Sequence, residues 1–248
     1  MSPSERARSF DAEAAAYEHG RPEYPKAALD WWAERGGLPT DGPVLDLAAG
    51  TGKLTRLLRA RGVNVIAVEP LANMRRQFAL AVPGATVLDG TAEAIPLGDD
   101  SMTAVFAAQA FHWFDPQRAI PEIRRVLRAG GGFGLIWNDD DTSNEWVARM
   151  SALKRAGSPA PVASSPPVDV LDDAFHVERI DISWTTTTTI ERLLANVRSR
   201  SYFAAMPDDQ REAAMAPFRA VLNELGEQGT DEPIVHPLIA RVFWCTPR

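Results

Sequence analysis

The segment VLDLAAGTGKLT, Val44–Thr55, contains residues whose types and spacing suit the binding of a nucleoside. Its apolar residues up to Leu47 predict a buried strand, and its small residues, Ala48–Gly52, predict a loop with little side-chain bulk. Such a loop lets a ligand lie against bare backbone at the carboxyl edge of a parallel sheet. The next apolar run ends in Glu69, whose carboxylate can accept hydrogen bonds from both hydroxyls of a ribose. Strand, loop, helix, strand and acid together predict a nucleoside site.

The glycine spacing argues against a dinucleotide ligand. A dinucleotide fingerprint requires G-x-G-x-x-G, and counting from Gly50 and Gly52 places Thr55 where the third glycine belongs. An acid, Asp46, stands four residues before Gly50, and it would repel a pyrophosphate but suit a ligand with an ammonium group. An NAD-dependent oxidoreductase is therefore the disfavoured interpretation of this motif.

The motif D-L-A-A-G-T-G, with Glu69 after the next strand, resembles the first motif of class I S-adenosylmethionine-dependent methyltransferases. A second run, F-D-x-x-A-x-x-Y-x-x-x-R-P-x-Y-P from Phe10 to Pro25, resembles the segment before the core in the small-molecule branch of that family. The resemblance implies S-adenosylmethionine as cofactor and S-adenosylhomocysteine as product. It is strongest over Val44–Trp137 and weaker beyond.

The same resemblance implies which residues contact the cofactor. They lie in the N-terminal run, the glycine loop, the ends of the second and fourth strands and the loop after the third strand. The residues are Tyr17, Asp46, Ala48, Gly50, Thr51, Gly52, Glu69, Pro70, Met74, Thr91, Ala92, Glu93 and Gln109. Thr91 replaces the aspartate usual in the family, and Glu93 is more often a brace of its loop than a ligand contact.

Catalytic and substrate-binding candidates follow from the end of the fourth strand and from the predicted cover. His112 can take a proton at neutral pH and is the candidate general base, although it can equally start the next helix and bond a loop. The substrate candidates are Tyr17, Arg21, Trp113, Arg198 and Tyr202. The alternative for Tyr17 is core packing. Arg198 and Arg200 could together hold a carboxylate, and the alternative for each is a solvated helical face.

The fold class expected from these patterns and from the resemblance is α/β. Strand-like and helix-like segments alternate up to about Asn138, which indicates a parallel sheet with right-handed crossovers. The predicted strands are Pro43–Leu47, Asn64–Val68, Thr86–Leu88, Met102–Gln109, Gly132–Trp137, a run from His176 and Ile234–Cys245. The resemblance implies a Rossmann-like, doubly wound, seven-stranded sheet, mostly parallel with the last strand antiparallel, and a helical cover over the carboxyl edge.

The helical pattern completes the expected organisation. The predicted helices are Leu54–Arg61, Asn73–Ala81, Pro116–Arg128, Glu145–Arg155, Ile190–Ala205 and Asp208–Leu225. Three glycines, Gly130–Gly132, are expected to end the third of these, and five threonines, Thr185–Thr189, to finish an extended segment. A single methyltransferase domain is expected: an arm over 1–40, a cofactor-binding core over 41–140, a partly helical cover over 141–233 with a core strand near 177–186, and a last strand over 234–248.

Composition limits the classes of protein and partner. The chain has 248 residues, of which 45% are hydrophobic, and a formal net charge of −7, which argues against a non-specific nucleic-acid binder. No apolar run approaches the ~20 residues that span a bilayer, and the N-terminus has no signal-peptide core. One cysteine, Cys245, excludes a disulfide within the chain. We therefore expect a cytoplasmic monomer or homodimer with neither nucleic-acid nor membrane partners.

The acceptor class is expected to be a small molecule methylated on oxygen, nitrogen or carbon. The N/D-P-P-Y/F motif of base-methylating enzymes is absent, because the fourth strand is followed by Q-A-F-H. No metal is expected: the histidines are scattered, and the acids Asp139–Asp141 are more often a solvated turn than a divalent-cation site. The alternative function is a non-catalytic or non-methylating protein that keeps the adenosyl-ligand fold.

Overall fold

The structure, a computed structural model, describes residues 18–39, 41–157, 168–200, 203, 206–225 and 233–248. The chain forms two compact units. The sheet unit consists of the described residues within 23–138, 165–182 and 240–248. The helical unit consists of those within 1–22, 139–164 and 183–239.

The described helices and strands alternate along the first half of the chain, as the sequence predicts. The helices are α1 (Lys26–Ala33), α2 (Lys53–Ala60), α3 (Ala72–Ala81), α4 (Pro116–Val126), α5 (Glu145–Ala156), α6 (Ile190–Arg198) and α7 (Asp208–Asn223). The strands are β1 (Val44–Leu47), β2 (Val65–Val68), β3 (Thr86–Leu88), β4 (Met102–Ala108), β5 (Leu127–Asp140), β6 (Phe175–Thr188) and β7 (Ile234–Pro247). Short 3₁₀ turns span Phe111–Trp113 and Asp169–Leu171.

The strands form one seven-stranded sheet in the order β3-β2-β1-β4-β5-β7-β6. The first five strands pair in parallel, for example with Leu45 opposite Ile66 on one side and Val105 on the other. The last strands add antiparallel pairing, so the predicted Rossmann-like α/β class is confirmed. The parallel order brings the carboxyl ends of β1, β2 and β4 to one edge, where open α/β sheets bind ligands.

The boundary between α4 and β5 differs from the sequence-based expectation. The helix ends at Val126 rather than at Arg128, and Leu127 already pairs with Met102. The register then shifts between Met102 and Ala104, and Gly130 in this stretch has a φ of +81°. The glycines therefore form an irregular start of the strand rather than the end of the helix, because strand pairing begins before them.

The core of the sheet unit forms around the central strands and α1. All four residues of β1 are buried, because a parallel strand has helices on both faces. From α1, the Trp32 ring lies 4.8 Å from the Phe106 ring, centroid to centroid. Its indole N–H donates a buried hydrogen bond of 2.9 Å to the carbonyl of Phe243 in β7. Trp32 thus joins α1 to two strands of the sheet.

Replacing Trp32 with phenylalanine is expected to lower the free energy of unfolding by about 1–3 kcal/mol. The substitution leaves the buried Phe243 carbonyl without the indole donor, and an unpaired buried polar group costs that much. The control is Trp31→Phe, because the side-chain contact described for Trp31 is a cation–π contact with Arg35, at 3.8 Å to the ring centroid, and a phenylalanine ring can also make it. Urea unfolding of both variants measures whether Trp32→Phe loses more free energy of unfolding than Trp31→Phe. Equal losses would contradict the prediction.

The helical unit has its own apolar cluster, formed mainly by α5, α6 and α7. Its most buried members include Val197, Phe203, Met215 and Leu222. The threonine run behaves as predicted at its end: β6 stops at Thr188, and the Thr189 hydroxyl accepts the backbone N–H of Arg192 at 3.2 Å. Thr189 is therefore the N-cap of α6.

Two further comparisons with the sequence-based expectations concern the helices. Helix α6 ends at Arg198, short of the predicted Ala205, and residues 201, 202, 204 and 205 lie outside the described residues. Among the helices described, none combines the length and the hydropathy that a membrane crossing demands.

Candidate ligand site

The glycine loop after β1 adopts the backbone conformation that small residues permit. Ala48, Gly50 and Gly52 all have positive φ values, of 56°, 57° and 88°. The loop is joined to β2 by a 3.1 Å bond from the Ala49 N–H to the Val68 carbonyl. A Cβ built on Gly50 meets nothing within 4 Å, so the space beside this backbone is open. That is the cradle which a flat ligand lying against bare backbone requires.

Gly52 has a different role from Gly50. A Cβ on Gly52 would stand 2.5 Å from the Val82 Cγ2 atom and 2.8 Å from the Phe78 ring. Because these are well below van der Waals separation, only glycine lets α2 start this close to the residues at the end of α3. Gly50 therefore leaves room for a ligand, whereas Gly52 allows the start of α2 to pack closely against Phe78 and Val82.

Glu69, which follows β2, is buried and bonded to the glycine loop. One carboxylate oxygen accepts the Gly50 N–H at 2.9 Å, and the other accepts the Leu71 N–H at 2.9 Å. The two backbone donors hold the acid at the edge of the cradle beside Gly50.

Asp46 is buried and bonded to Thr55, and its contact with the cofactor stays a prediction. Its Oδ2 accepts a 2.5 Å hydrogen bond from the Thr55 hydroxyl, and its Oδ1 is buried with no hydrogen-bond partner among the described residues. Burial raises the pKa of this carboxyl to about 7, although the Thr55 hydrogen bonds lower it; the charge of Glu69 raises it further. Thr55, at the position of the missing third glycine, thus bonds the motif acid and is itself fully buried.

Replacing Asp46 with asparagine is expected to remove part of the protein's pH dependence of stability. Because the folded pKa is raised to about 7, the folded chain holds a proton between about pH 4 and 7 that the unfolded chain releases. Stability therefore falls as pH rises through that window, by at most about 1.4 kcal/mol per pH unit. Urea unfolding at pH 5 and pH 7.5 should show a smaller decline for Asp46→Asn; parallel declines would contradict this.

The loop after β3 forms a compact turn that also contacts the start of α4. Thr91 and Ala94 form an isolated antiparallel bridge, with Ala92 buried between them. The Glu93 carboxylate accepts the Asp115 N–H at 2.9 Å. Glu93 therefore braces the loop, as the sequence-based alternative proposed. Ala92 and Thr91 remain predicted ligand contacts.

One residue near this loop, Arg75, was missed by the sequence analysis. Arg75 donates bidentate hydrogen bonds of 2.9 and 3.0 Å to the Asp89 carboxylate and one of 2.7 Å to the Glu69 carbonyl. Arg75 lies in α3, one residue after Met74, which is buried. Pro70, before this helix, is exposed. No motif signals Arg75; its position six residues after Glu69 places it on the first turn of the helix.

Gln109 follows β4 with a φ of 56°, the same departure from ordinary backbone that Ala48 shows after β1. Non-glycine residues in this conformation are uncommon, and such strain concentrates at ligand sites. The Gln109 side-chain amide donates to the Asn138 carbonyl at 3.1 Å, while the Asn138 amide donates to the Glu23 carbonyl at 2.8 Å. Asn138, absent from the sequence-based site, thereby joins the R-P-E-Y-P segment to the end of β4.

Glu23 and Lys53 extend this connection to the glycine loop. The Glu23 carboxylate lies 2.7 Å from Arg56 Nη2 and 3.5 Å from Lys53 Nζ, both in α2. Lys53, directly after Gly52, is buried. The motif residues gave no sign of this pairing, because Glu23 and Lys53 are 30 positions apart in the chain.

His112 and Trp113 lie in the 3₁₀ turn after β4. The Trp137 indole N–H donates to His112 Nδ1 at 3.5 Å, and the His112 ring centroid is 4.7 Å from that of Trp113. A neutral ring that accepts at Nδ1 has its proton on Nε2, so Nε2 is then a donor. This arrangement favours the structural alternative for His112 over the general base, which stays a prediction.

Of the substrate candidates in the N-terminal run and the predicted cover, the structure describes Arg21 and Arg198. Tyr17 and Tyr202 lie outside the described residues. The Arg21 Nε donates to the Ser199 hydroxyl at 3.3 Å. Arg198 is 46% exposed at its side chain and lies 3.4 Å from the Glu212 carboxylate, which matches a solvated helical face.

The acids Asp139–Asp141 do not form a shared turn, because the first two are the last residues of β5. Asp140, whose side chain is 15% exposed, accepts hydrogen bonds of 2.8 and 3.0 Å from the ammonium of Lys154, whereas Asp141 accepts the Ser143 N–H at 3.0 Å. Among the described residues, no three His, Cys, Asp or Glu side chains are grouped to hold a metal ion. Asp140 therefore departs from the expected solvated turn, and the sequence spacing between Asp140 and Lys154 gave no sign of this ion pair.

Comparison with known proteins places these features in context. A family model described as a methyltransferase domain matches residues 45–135. An uncharacterized methyltransferase of Mycobacterium bovis is 43% identical over 216 residues, which are 86% of this chain and 85% of that protein. An uncharacterized methyltransferase-like protein of Schizosaccharomyces pombe is 31% identical over 231 residues, 91% of this chain and 90% of that one.

Solved structures give the same likeness. A candidate type II methyltransferase from Anaeromyxobacter dehalogenans superposes with a TM-score of 0.66 at 25% identity, covering 92% of this chain and 97% of that one. A candidate methyltransferase of an antibiotic biosynthesis pathway in Anabaena variabilis has a TM-score of 0.62 at 23% identity, covering 92% and 99%, and shows the shared fold.

Proposed function

Because the chain belongs to the class I S-adenosylmethionine-dependent methyltransferase family, we propose that it methylates an oxygen, nitrogen or carbon atom of a small molecule. The methyl donor is S-adenosylmethionine and the other product is S-adenosylhomocysteine. The formal charge of −7 supports a small acceptor over a nucleic acid, because a nucleic-acid substrate selects a basic surface. We propose a cytoplasmic enzyme that acts as a monomer or homodimer without a metal ion.

The residues beside the glycine loop fit the adenosyl cofactor, and one observation supports this most directly. The Glu69 carboxylate is buried at the edge of the glycine loop, where the Gly50 and Leu71 N–H groups hold it. The open space beside Gly50 is the cradle that an added Cβ would fill. We propose that Glu69 binds the ribose hydroxyls, while Ala92 and Thr91 recognise the adenine.

The chemistry that the cofactor supplies is a methyl group made electrophilic by a sulfonium. The chain's residues then have to orient the acceptor in line with that methyl group and exclude water. Holding two reactants in near-attack geometry can supply about 7–11 kcal/mol of the barrier. A general base would add only about 10²–10⁴ in rate. Positioning is therefore the main contribution that we propose for this protein, with Gln109 as a positioning candidate at the end of β4.

Calorimetric titration of the wild-type protein with S-adenosylmethionine, S-adenosylhomocysteine and NAD tests the proposal. We expect micromolar binding of both adenosyl ligands and none of NAD. Transfer of a labelled methyl group to a panel of small acids, phenols and amines then tests catalysis. Binding without transfer to any acceptor would favour a protein that keeps the fold as a ligand-binding module, and failure of both adenosyl ligands to bind would overturn the proposal.

A further inference from the structure

Strand β6 forms one edge of the seven-stranded sheet. It stands last in the strand order, next to β7, and no strand in the described part of the chain lies on its other side. Its segment 175–182 belongs to the sheet unit, and we refer to this segment as the β6 edge. An edge strand presents a row of backbone N–H and C=O groups that can pair with the strand of another chain.

Two contacts define the register between β6 and β7. The Arg248 N–H, just after β7, donates to the Ala174 carbonyl, just before β6, at 3.1 Å. The guanidinium carbon of Arg179 lies 5.6 Å from the centroid of the Phe243 ring. Both contacts fit one antiparallel register, because the step from Ala174 to Arg179 is as long as the step from Phe243 to Arg248.

That register determines which backbone groups point away from β7. The N–H and C=O groups alternate in direction along an antiparallel strand, so the residues in step with Ala174 bond β7 and those between them face outward. The Phe175 carbonyl is consistent with this direction, since it accepts the Arg248 side chain at 3.0 Å. Further along the β6 edge, the outward-facing residues are Val177, Arg179 and Asp181.

Two of these residues carry opposite charges on the same face of the strand. Arg179 donates hydrogen bonds of 2.8 and 2.6 Å to the carboxylate of Asp181, and the two side chains are 44% and 43% exposed. Charges of a single sign along an edge would keep two copies of a chain apart. This edge has one charge of each sign, two positions apart, so it is complementary to a second copy of itself.

We propose that the β6 edges of two copies of this chain pair antiparallel, about a twofold axis at Ile180. Residues that face each other across the axis are equally distant from it, so Arg179 of each copy lies opposite Asp181 of the other. Because the backbone of both residues faces outward, each of these pairs also exchanges backbone hydrogen bonds. On the other face of the strand, the half-buried Ile180 meets the same residue of the second copy.

The charges also select this register over its neighbours. Shifting one copy by two residues keeps the backbone pairing but places arginine opposite arginine in one direction and aspartate opposite aspartate in the other. Like charges directly opposite one another are destabilising, and a shift of one residue would set outward-facing backbone groups against inward-facing ones. Because one pair of strands buries less area than a standard interface, the dimer depends on protein concentration.

Sedimentation velocity of the wild type and of two charge variants tests the pairing. We expect a wild-type dimer whose fraction rises with protein concentration. Arg179→Asp and Asp181→Arg should each weaken dimerisation by about tenfold or more, because each replaces two attractive pairs with two repulsive ones. A mixture of the two variants should dimerise within about threefold of the wild type, because two acids of one chain then lie opposite two arginines of the other.

The control for these variants is Arg149→Asp. It makes the same change of charge in the helical unit, at an ion pair with Glu224 in which the arginine side chain is 43% exposed, and it should dimerise as the wild type does. A wild-type monomer at every concentration would overturn the proposal. So would a dimer that neither single variant weakens, or a mixture that dimerises no better than either variant alone.

Amide hydrogen exchange of the wild type tests the same pairing without any substitution. The N–H groups of Arg179 and Asp181 face outward, so their exchange should slow as the protein concentration rises. Those of Glu178 and Ile180 face β7 and should exchange at the same rate at every concentration. Unchanged exchange at Arg179 and Asp181, or equal slowing of all four, would overturn the proposal. The measurement uses no ligand, so its outcome is independent of the proposed function.

Discussion

Glu69→Ala is expected to weaken S-adenosylmethionine binding by about 100-fold or more. The proposed ribose contacts are hydrogen bonds to a charged group, each worth about 1.5–3 kcal/mol, and tenfold in affinity corresponds to about 1.4 kcal/mol. The variant also frees the Gly50 and Leu71 N–H groups that the carboxylate now holds at 2.9 Å each. Calorimetric titration measures the loss directly.

A second substitution at the same position separates acceptor chemistry from loop support. Glu69→Gln keeps the size of the side chain but turns an amide donor toward one of the two backbone N–H groups, so it should also bind weakly. The matched control is Glu178→Gln, because Glu178 is 56% exposed at its side chain and bonds only Arg35 among the contacts described. Affinities of both Glu69 variants within threefold of the wild type would contradict the proposed contact between Glu69 and the cofactor.

The two glycines of the loop are expected to respond to alanine in opposite ways. Gly50→Ala should cost about 1–2 kcal/mol of stability, the penalty of a left-handed residue, because its φ is +57° and nothing else lies within 4 Å of the new Cβ. Its effect on cofactor affinity should be larger, at least tenfold, since the methyl group enters the proposed cradle.

Gly52→Ala should mainly destabilise the fold. The same left-handed penalty applies at its φ of +88°, and the new Cβ would stand 2.5 Å from Val82 and 2.8 Å from Phe78. Overpacking adds about 1–3 kcal/mol, for a total of about 2–5 kcal/mol. Urea unfolding and titration of both variants check the prediction, which a greater stability loss in Gly50→Ala would contradict.

Much of the framework of the proposed cofactor site was predictable because it depends on short-range patterns. The run V-L-D-L is buried at every position of β1, and the A-A-G-T-G turn has the positive φ values that small residues permit. Glu69 was expected after β2 and lies there, bonded to Gly50. Each of these features follows from residue types within a few positions of one another, where strand, turn and helix preferences act.

The ends of helices and strands, and the residues that link distant segments, were less predictable, because contacts between residues far apart in the chain determine them. The glycines after α4 predict the end of a helix, but Leu127 had already entered the ladder opposite Met102. Likewise, Asn138 links Glu23 and Gln109, residues separated by 86 positions, and no local pattern indicates such a contact.

The sequence alone determined the fold class, the family resemblance and the location of the glycine loop and its acid, since all of these depend on local pattern and on motif order. Tertiary structure decided which charges are buried. Arg198 and Arg200 are equivalent in the sequence, but Arg198 faces Glu212 at the surface, while the Nε of Arg200 is buried near Lys154 and Asp140. The contribution of a charged side chain to stability depends on its exposure to water and on its distance from other charges. Both are set only when the chain folds.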